Sequence, residues 1–197
     1  MKHLTHEERR KRIVRGAMSA FAESGFRGTR SRDLARAAGV SEALIFKHFP
    51  NKRAIQRAII EERIRQTGTF LPAELREMTP EKALVAIATR VFEAAERDPT
   101  FMRLLYFAGL ESEPLAPMFF KRRVSGNIGE VAALVRFWIR RGLVRRSLDA
   151  RLFAWSFMSC LGQLVVVRHI FGVKRLSDRP GDPASRIVSM FLQGVKA

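Results

Sequence analysis

Apolar residues recur at helical spacing along most of the chain, and breaks in that pattern mark out the elements. Ile13, Ala17, Ala20, Phe21 and Ser24 form a stripe that predicts an amphipathic first helix over 6–24. Thr5-His6-Glu7-Glu8, at its start, has the form of a capping box. Two short helical patterns follow, one ending at Gly39 and the next opening at Ser41. Gly39 supplies the left-handed conformation that ends a helix in a sharp turn, and the Ser41 hydroxyl suits the cap of the next. Small Ala35 lets these two helices approach closely. Leu34, Val40, Ile45 and Phe49 make the apolar side of the pair, leaving Arg32, Glu42, Ala43, Phe46, Lys47 and His48 for outer or flanking surfaces. Asn51 is placed to cap a fourth helix reaching about residue 66, interrupted by Thr67-Gly68 and Leu71-Pro72. Further helices are predicted across 80–97, 100–110, 117–142, 149–171 and 183–195. Asp98-Pro99, Glu113-Pro114, Gly142 to Ser147, and Ser177 to Pro183 separate them. No run alternates as a strand would, and there is no internal repeat, so the expected class is all-α.

A seven-residue helix with a polar outer face, closely preceded by another short helix and a glycine turn, is the pattern of a helix-turn-helix reader of duplex DNA. The ordered motif runs through Phe21-Ala22-Glu23-Ser24-Gly25-Phe26, Thr29, Arg32-Asp33-Leu34-Ala35-Arg36-Ala37-Ala38-Gly39-Val40-Ser41 and Phe46-Lys47-His48-Phe49-Pro50-Asn51-Lys52. Over roughly residues 8–58 the chain resembles the DNA-binding domain of the tetracycline-repressor (TetR) family of transcriptional regulators. It departs from the family at Phe46, where Tyr is usual, and at Arg30, which replaces the helix-opening Thr. The resemblance implies DNA contacts from Thr29, Arg30, Ser31 and Arg32, from Ser41, Glu42, Ala43, Phe46, Lys47 and His48, and from Lys52. Arginine can read guanine in a bidentate manner, Glu42 can accept from cytosine or repel phosphate, and Ala43 can meet a thymine methyl. His48 is left open between phosphate donor and packing residue. Lys52 and Arg53 oppose the macrodipole at their helix start, which makes sense if an external anion, a DNA phosphate, docks there.

Charge supports a polyanionic partner. The chain of 197 residues carries a formal charge of +17. Its first 65 residues hold 16 Lys and Arg against 7 Asp and Glu, about twice the net charge density of the remainder. The single Cys160, among apolar neighbours, excludes an internal disulfide and reads as a buried structural thiol. The four histidines show no metal-ligand spacing. No metal or other cofactor is expected, nor is catalysis, because no nucleophile-base-acid set or phosphate-cradling loop is present. The polar opening MKHLTHEERRKR is not a signal peptide, and a cytoplasmic protein is expected. Residues 1–5 read as a loose basic tail.

The predicted organisation is a three-helix DNA-binding domain over 1–50, followed by a helical effector-binding and dimerisation domain over 51–197 with 51–66 as connecting helix. The most apolar stretch, Leu152 to Val167, is shorter than the ~20 residues that cross a bilayer and is flanked by Arg151 and Arg168. It predicts a helix buried on both sides, against its own core and a partner subunit, rather than a membrane span. Ile187, Phe191 and Val195 give the last helix a second stripe. The resemblance implies a homodimer in which the last two long helices of each chain form a four-helix bundle. Phe92, Met102, Tyr106, Phe107, Phe137, Trp138, Trp155 and Met158 are candidate linings for a lipophilic or amphipathic small molecule, with Arg103, Arg136 and Arg140 as possible anchors for an acidic head group. The expected function is therefore a ligand-responsive regulator, a repressor released from a pseudo-palindromic operator by its effector. The residues also leave open a basic architectural DNA-binding protein without effector and an enzyme using the helical cavity.

Overall fold

The computed structural model describes residues 5–66, 70–174 and 182–193. The Thr67-Gly68 break, nearly all of the basic tail, most of the Ser177–Pro183 separator and Val195 lie outside the described residues. Ten α-helices are found among those described: α1 (His6–Gly28), α2 (Ser31–Ala38), α3 (Glu42–His48), α4 (Lys52–Gln66), α5 (Pro80–Arg97), α6 (Pro99–Leu110), α7 (Leu115–Phe119), α8 (Ser125–Arg140), α9 (Ala150–His169) and α10 (Pro183–Gln193). A 3-10 turn at Ala73–Arg76 and a π turn at Phe120–Val124 complete the order, and no strand occurs among the described residues. The fold is all-α.

The helix predicted over 117–142 is interrupted. The π turn breaks it into α7 and α8, so side chains before and after Phe120–Val124 do not share one continuous register. Arg141 and Gly142 end α8 rather than continue it. The 3-10 turn, which buries Leu75, carries too little periodicity to be visible in the sequence.

By packing, the described residues form two compact units. The first gathers those up to 66 together with 100–122; the second takes 70–99 and the described residues from 123 onward. This grouping differs from a boundary after residue 50, because α4 packs with α1 and because α6 and α7 join the first unit. Compactness and functional division need not coincide.

The first unit is built around Ile13, Phe21, Leu34, Ile45, Phe49, Ile55, Ile60 and Leu104, each essentially inaccessible to solvent. Full burial of such a side chain contributes about 1.5–3 kcal/mol relative to exposure. Local chemistry fixes the helix starts: Thr5 accepts from the Glu8 amide while Glu8 accepts from the Thr5 amide, completing the capping box. Asn51 accepts from the Ala54 amide at the start of α4. Gly16 matters for another reason. A Cβ there would lie 2.6–2.8 Å from backbone atoms of Ala37 and Ala38, so α1 and α2 touch almost backbone to backbone.

The second unit packs α5, α8, α9 and α10 around Leu84, Ile87, Val131, Val135, Trp138, Phe157, Leu161 and Val188. Phe191 meets Phe153 and Phe157 edge-on, at centroid distances of 5.8 and 5.3 Å. By length and composition α9 is apolar enough to cross a membrane. Its apolarity has a use inside this unit: Phe153, Ala154, Phe157, Leu161, Val165 and Val166 are buried, whereas Leu152, Ser156, Ser159 and Gln163 remain exposed.

Candidate nucleic-acid interface

Two short helices and the turn between them hold the candidate site. Gly39 has φ 60° and ψ 44°, and the Val40 amide returns to the Ala35 carbonyl at 3.0 Å, stopping α2. Ser41 then caps α3, its hydroxyl oxygen accepting from the Leu44 amide at 3.2 Å. That hydroxyl still has its own hydrogen to donate.

Helical spacing sends Ile45 and the following Phe49 into the core, so Glu42, Ala43, Phe46 and Lys47 share the outward face of α3. All four are exposed, and Phe46 retains 46% of its surface. An aromatic ring of that size left open beside a lysine is a notable apolar exposure. Arg30 and Arg32 are exposed at the start of α2, with Ser31 half-buried between them. Asp33 does not neutralise either guanidinium. Its carboxylate accepts from the Arg30 amide at 2.9 Å, the half of a capping box that needs no hydroxyl at residue 30, and both arginines face solvent.

Three expected contact residues have other duties. Thr29 is buried, and its hydroxyl donates within α1, with the Ala20 and Gly25 carbonyls as acceptors. It shapes the α1–α2 turn and presents no donor to DNA. The Lys52 ammonium donates to the Phe26 carbonyl at 2.9 Å and the Thr29 carbonyl at 2.8 Å, and lies over the Phe26 ring. Those carbonyls are the counter-charge for a cation at a helix start, so an external anion is not needed to explain it. His48 is half-buried with its ring against His6, its Nδ1 unpartnered. Burial, then the nearby His6, Arg9, Arg10 and Lys47, hold its pKa below the ordinary histidine value. A neutral ring is a weak phosphate donor, which favours packing over contact.

Several structural residues carry no sequence signal of their own. Gly25 adopts φ 69°, and beyond it the Phe26 and Arg27 amides converge on the Glu111 carboxylate at 2.6 and 3.1 Å. The Arg27 guanidinium donates to the Glu111 carbonyl as well. Glu113 is buried, with its carboxylate 3.7 Å from the Arg53 guanidinium. Ser112, at φ 57°, makes this possible by ending α6 in a left-handed turn. Contacts over 60 to 85 residues of chain are not encoded in local spacing.

The candidate effector residues are not gathered into one cavity. Met102, Tyr106 and Phe107 belong to the first unit, and Phe92, Phe137, Trp138, Trp155 and Met158 to the second. Trp138 is fully buried as core, while Phe137, Trp155 and Met158 pack partly buried against that core. Phe92 does line a crevice, with Leu164, Val165 and Pro183 as apolar walls and Glu96, Arg168 and His169 at its rim, but at about 20 Å³ it has room for little more than a water. Glu96 and Arg168 pair there at 2.8 Å. Arg136 and Arg140 are exposed on α8, and Arg103 lies over the edge of Phe107. Cys160 is half-buried rather than enclosed as expected, and that burial pushes its thiol pKa up. Among the described residues no group of three His, Cys, Asp or Glu side chains is placed to hold a metal ion.

A capped, glycine-turned helix pair presenting basic and aromatic side chains on an all-helical scaffold defines a helix-turn-helix protein. Residues 13–59 match the sequence profile described as "Bacterial regulatory proteins, tetR family". The HTH-type transcriptional regulator RutR of Escherichia coli is 27% identical over 134 residues, 68% of this chain and 63% of RutR. YvkB of Bacillus subtilis, described as an uncharacterized HTH-type transcriptional regulator, is 31% identical over 49% of this chain and 50% of its own. The match thus spans less than two thirds of RutR's length. Among solved structures, a TetR-like transcriptional regulator from Rhodococcus sp. RHA1 superposes with a TM-score of 0.72 at 16% identity, covering 98% of each chain, and shares the fold. Residues 13–59 thus carry the DNA-binding region of the tetR family of bacterial regulatory proteins.

Proposed function

We propose that the protein is a cytoplasmic transcriptional regulator that binds a pseudo-palindromic DNA operator as a homodimer, represses, and is released by a small lipophilic or amphipathic effector. The observation that carries this reading is the outward face of α3, where Glu42, Ala43, Phe46 and Lys47 stand exposed on a helix fixed by Ile45 and Phe49 from behind. Such a helix fits the major groove, with Lys47 and Arg32 as base-edge or phosphate donors and Ala43 against a thymine methyl. Arg30, Ser31 and Ser41 supply backbone contacts. No catalytic step is assigned.

Dimerisation is supported by the exposed side of α9 and α10. Leu152 is 64% and Met190 75% exposed, and the intervening α9 face is Ser156, Ser159 and Gln163. The small Ser156 and Ser159 side chains let a second copy approach closely. Effector binding is supported by the open cleft of about 400 Å³ beside Phe92, where Phe92 and Pro183 give apolar contact and Glu93, Glu96, Arg97 and Arg168 offer polar anchors for an amphipathic molecule. The effector acts by binding more tightly to the dimer form whose readers are wrongly spaced.

Selection of bound duplexes from a random pool tests the core of the reading. Enrichment of a two-fold symmetric site with half-sites about one helical turn apart is the expected result. Binding that follows salt alone, with no enriched sequence, returns the protein to the architectural class.

A further inference from the structure

Six arginines fall within sixteen residues at the α8–α9 turn: Arg136, Arg140, Arg141, Arg145, Arg146 and Arg151, all exposed. The stretch has one carboxylate, Asp149, and that is engaged in capping α9, accepting from the Arg151 and Leu152 amides at 2.9 and 3.0 Å. None of the six guanidiniums is paired with a carboxylate among the described residues. We propose that this turn is a second DNA-binding surface, which holds the phosphate backbone of duplex DNA outside the recognition-helix unit.

The base beneath the charges is rigid. Gly142, at φ 69°, ends α8 with paired returns: its amide to the Ile139 carbonyl at 3.1 Å and the Leu143 amide to the Trp138 carbonyl at 3.0 Å. Val144 is buried in the second unit's core, and the Leu148 amide closes a turn on Arg145. Because α8 and α9 pack together and nine residues join them, the C-terminal end of one lies beside the N-terminal end of the other. Arg140 and Arg141 therefore share a neighbourhood with Arg151.

Helix electrostatics does not account for the cluster. A C-terminal dipole favours Arg140 and Arg141, but Arg145 and Arg146 lie outside any helix, and Arg151 sits in the first turn of α9, where the dipole opposes it. Six mutually repelling charges on a fixed frame match a partner with regularly spaced negative charge. All six are arginine, whose planar fork meets phosphate oxygens two at a time. An anionic membrane is the weaker match. Leu143 is the exposed apolar side chain of the turn, and Leu152 beside it belongs to the face assigned to a second copy, leaving too little apolar surface to enter a bilayer. The choice of DNA as the polyanion rests on the reading of the chain as a DNA-binding protein.

The test compares three proteins on one fluorescent random-sequence duplex of about 40 base pairs, titrated from roughly 50 to 300 mM KCl. They are the wild type, a turn variant (Arg140→Gln, Arg141→Gln, Arg145→Gln, Arg146→Gln) and a control of equal charge (Arg76→Gln, Lys82→Gln, Arg90→Gln, Lys121→Gln), whose sites are also exposed. Each lost phosphate contact makes the plot of log affinity against log salt shallower by about 0.9. The turn variant is expected to flatten it by roughly 2–4 and the control by less than about 1. Equal flattening in both overturns the proposal, since net charge then explains the effect, and an unchanged slope in the turn variant does so directly. Sedimentation with phosphatidylglycerol vesicles supplies the other occupant. Vesicle binding lost in the turn variant while its DNA slope stays intact assigns the surface to lipid instead. Lys47→Ala, read on selected operator, reports on the recognition helix alone, so failure of either DNA surface is seen separately.

Discussion

Gly16→Ala sets two physical effects of opposite sign against each other. In the interior of a helix, alanine is favoured over glycine by roughly 0.5–1 kcal/mol. The Cβ it brings would stand 2.6 Å from the Ala38 nitrogen, 2.7 Å from the Ala37 carbonyl carbon and 2.8 Å from the Ala37 oxygen. Comfortable contacts to carbon lie near 3.5–4.0 Å, so α1 and α2 must part by about 1 Å. No rotamer change relieves the clash, because the opposing atoms are backbone. Overpacking of this kind costs about 1–3 kcal/mol, and here the upper half of that range applies because the separation also loosens Ile13, Ala17, Leu34 and Ala38. The expected net loss is roughly 1–2.5 kcal/mol. For a chain of this length that lowers the melting temperature by about 2–10 °C. Urea denaturation with an unchanged m value measures it. A variant stabilised by about 0.5–1 kcal/mol, as helix propensity alone dictates, would falsify the close-approach argument.

Four other outcomes follow from the geometry. Lys52→Met keeps the stem but removes the donor to the Phe26 and Thr29 carbonyls; stability should fall by about 1.5–3 kcal/mol in urea, and a loss of DNA affinity with unaltered stability would restore the phosphate role. Phe46→Tyr should strengthen binding to operator and random duplex alike by about 0.5–1.5 kcal/mol, whereas Lys47→Ala should relax preference at one base pair; a change of preference from Phe46→Tyr would mean that the ring faces bases. Met190→Asp should shift the protein towards monomer in sedimentation velocity, since this exposed side chain probes assembly more cleanly than Phe191, which is tied to Phe153 and Phe157 within one chain. His48 should make stability sensitive to acid: its folded pKa is lowered, so the unfolded chain takes up the proton first. The His48 contribution is complete above the ordinary value of 6.5 and is lost as pH falls below it, and His48→Gln should show a flatter melting profile between about pH 7.5 and 5.

The reader was legible where local rules suffice. Gly39 and Ser41 announced the turn and cap, and the spacing of Leu34, Ile45 and Phe49 gave the buried side of the helix pair. Thr29 and Lys52 misled because a polar side chain shows its chemistry in sequence but not its partner. Thr29 turns its hydroxyl back onto the Ala20 and Gly25 carbonyls of α1, and Lys52 finds the Phe26 and Thr29 carbonyls, which only the folded chain brings within its reach. Gly16 was silent for a related reason, since a glycine inside a helix looks the same whether tolerated or required. The π turn at Phe120–Val124 erased the apparent continuity from 117 to 142, because an added residue per turn leaves the apolar composition unchanged. Effector-side aromatics such as Trp138 carried no label distinguishing a pocket wall from ordinary core.

Because the first unit takes α6 and α7 from far along the chain, the order of synthesis matters to its folding. A ribosome releases residues 5–66 well before Phe101, Leu104, Ala108 and Leu115 exist, so the nascent reader has its helices but lacks one side of its core. The Phe26 and Arg27 amides likewise wait for the Glu111 carboxylate. Residues 70–99, which belong to the other unit, must be made in between. The same discontinuity bears on recombination between relatives: a crossover after α4 transplants the reading helix but leaves behind α6 and α7, whose side chains were fitted to the original α1 and α4. A reader moved with both segments keeps its own interior.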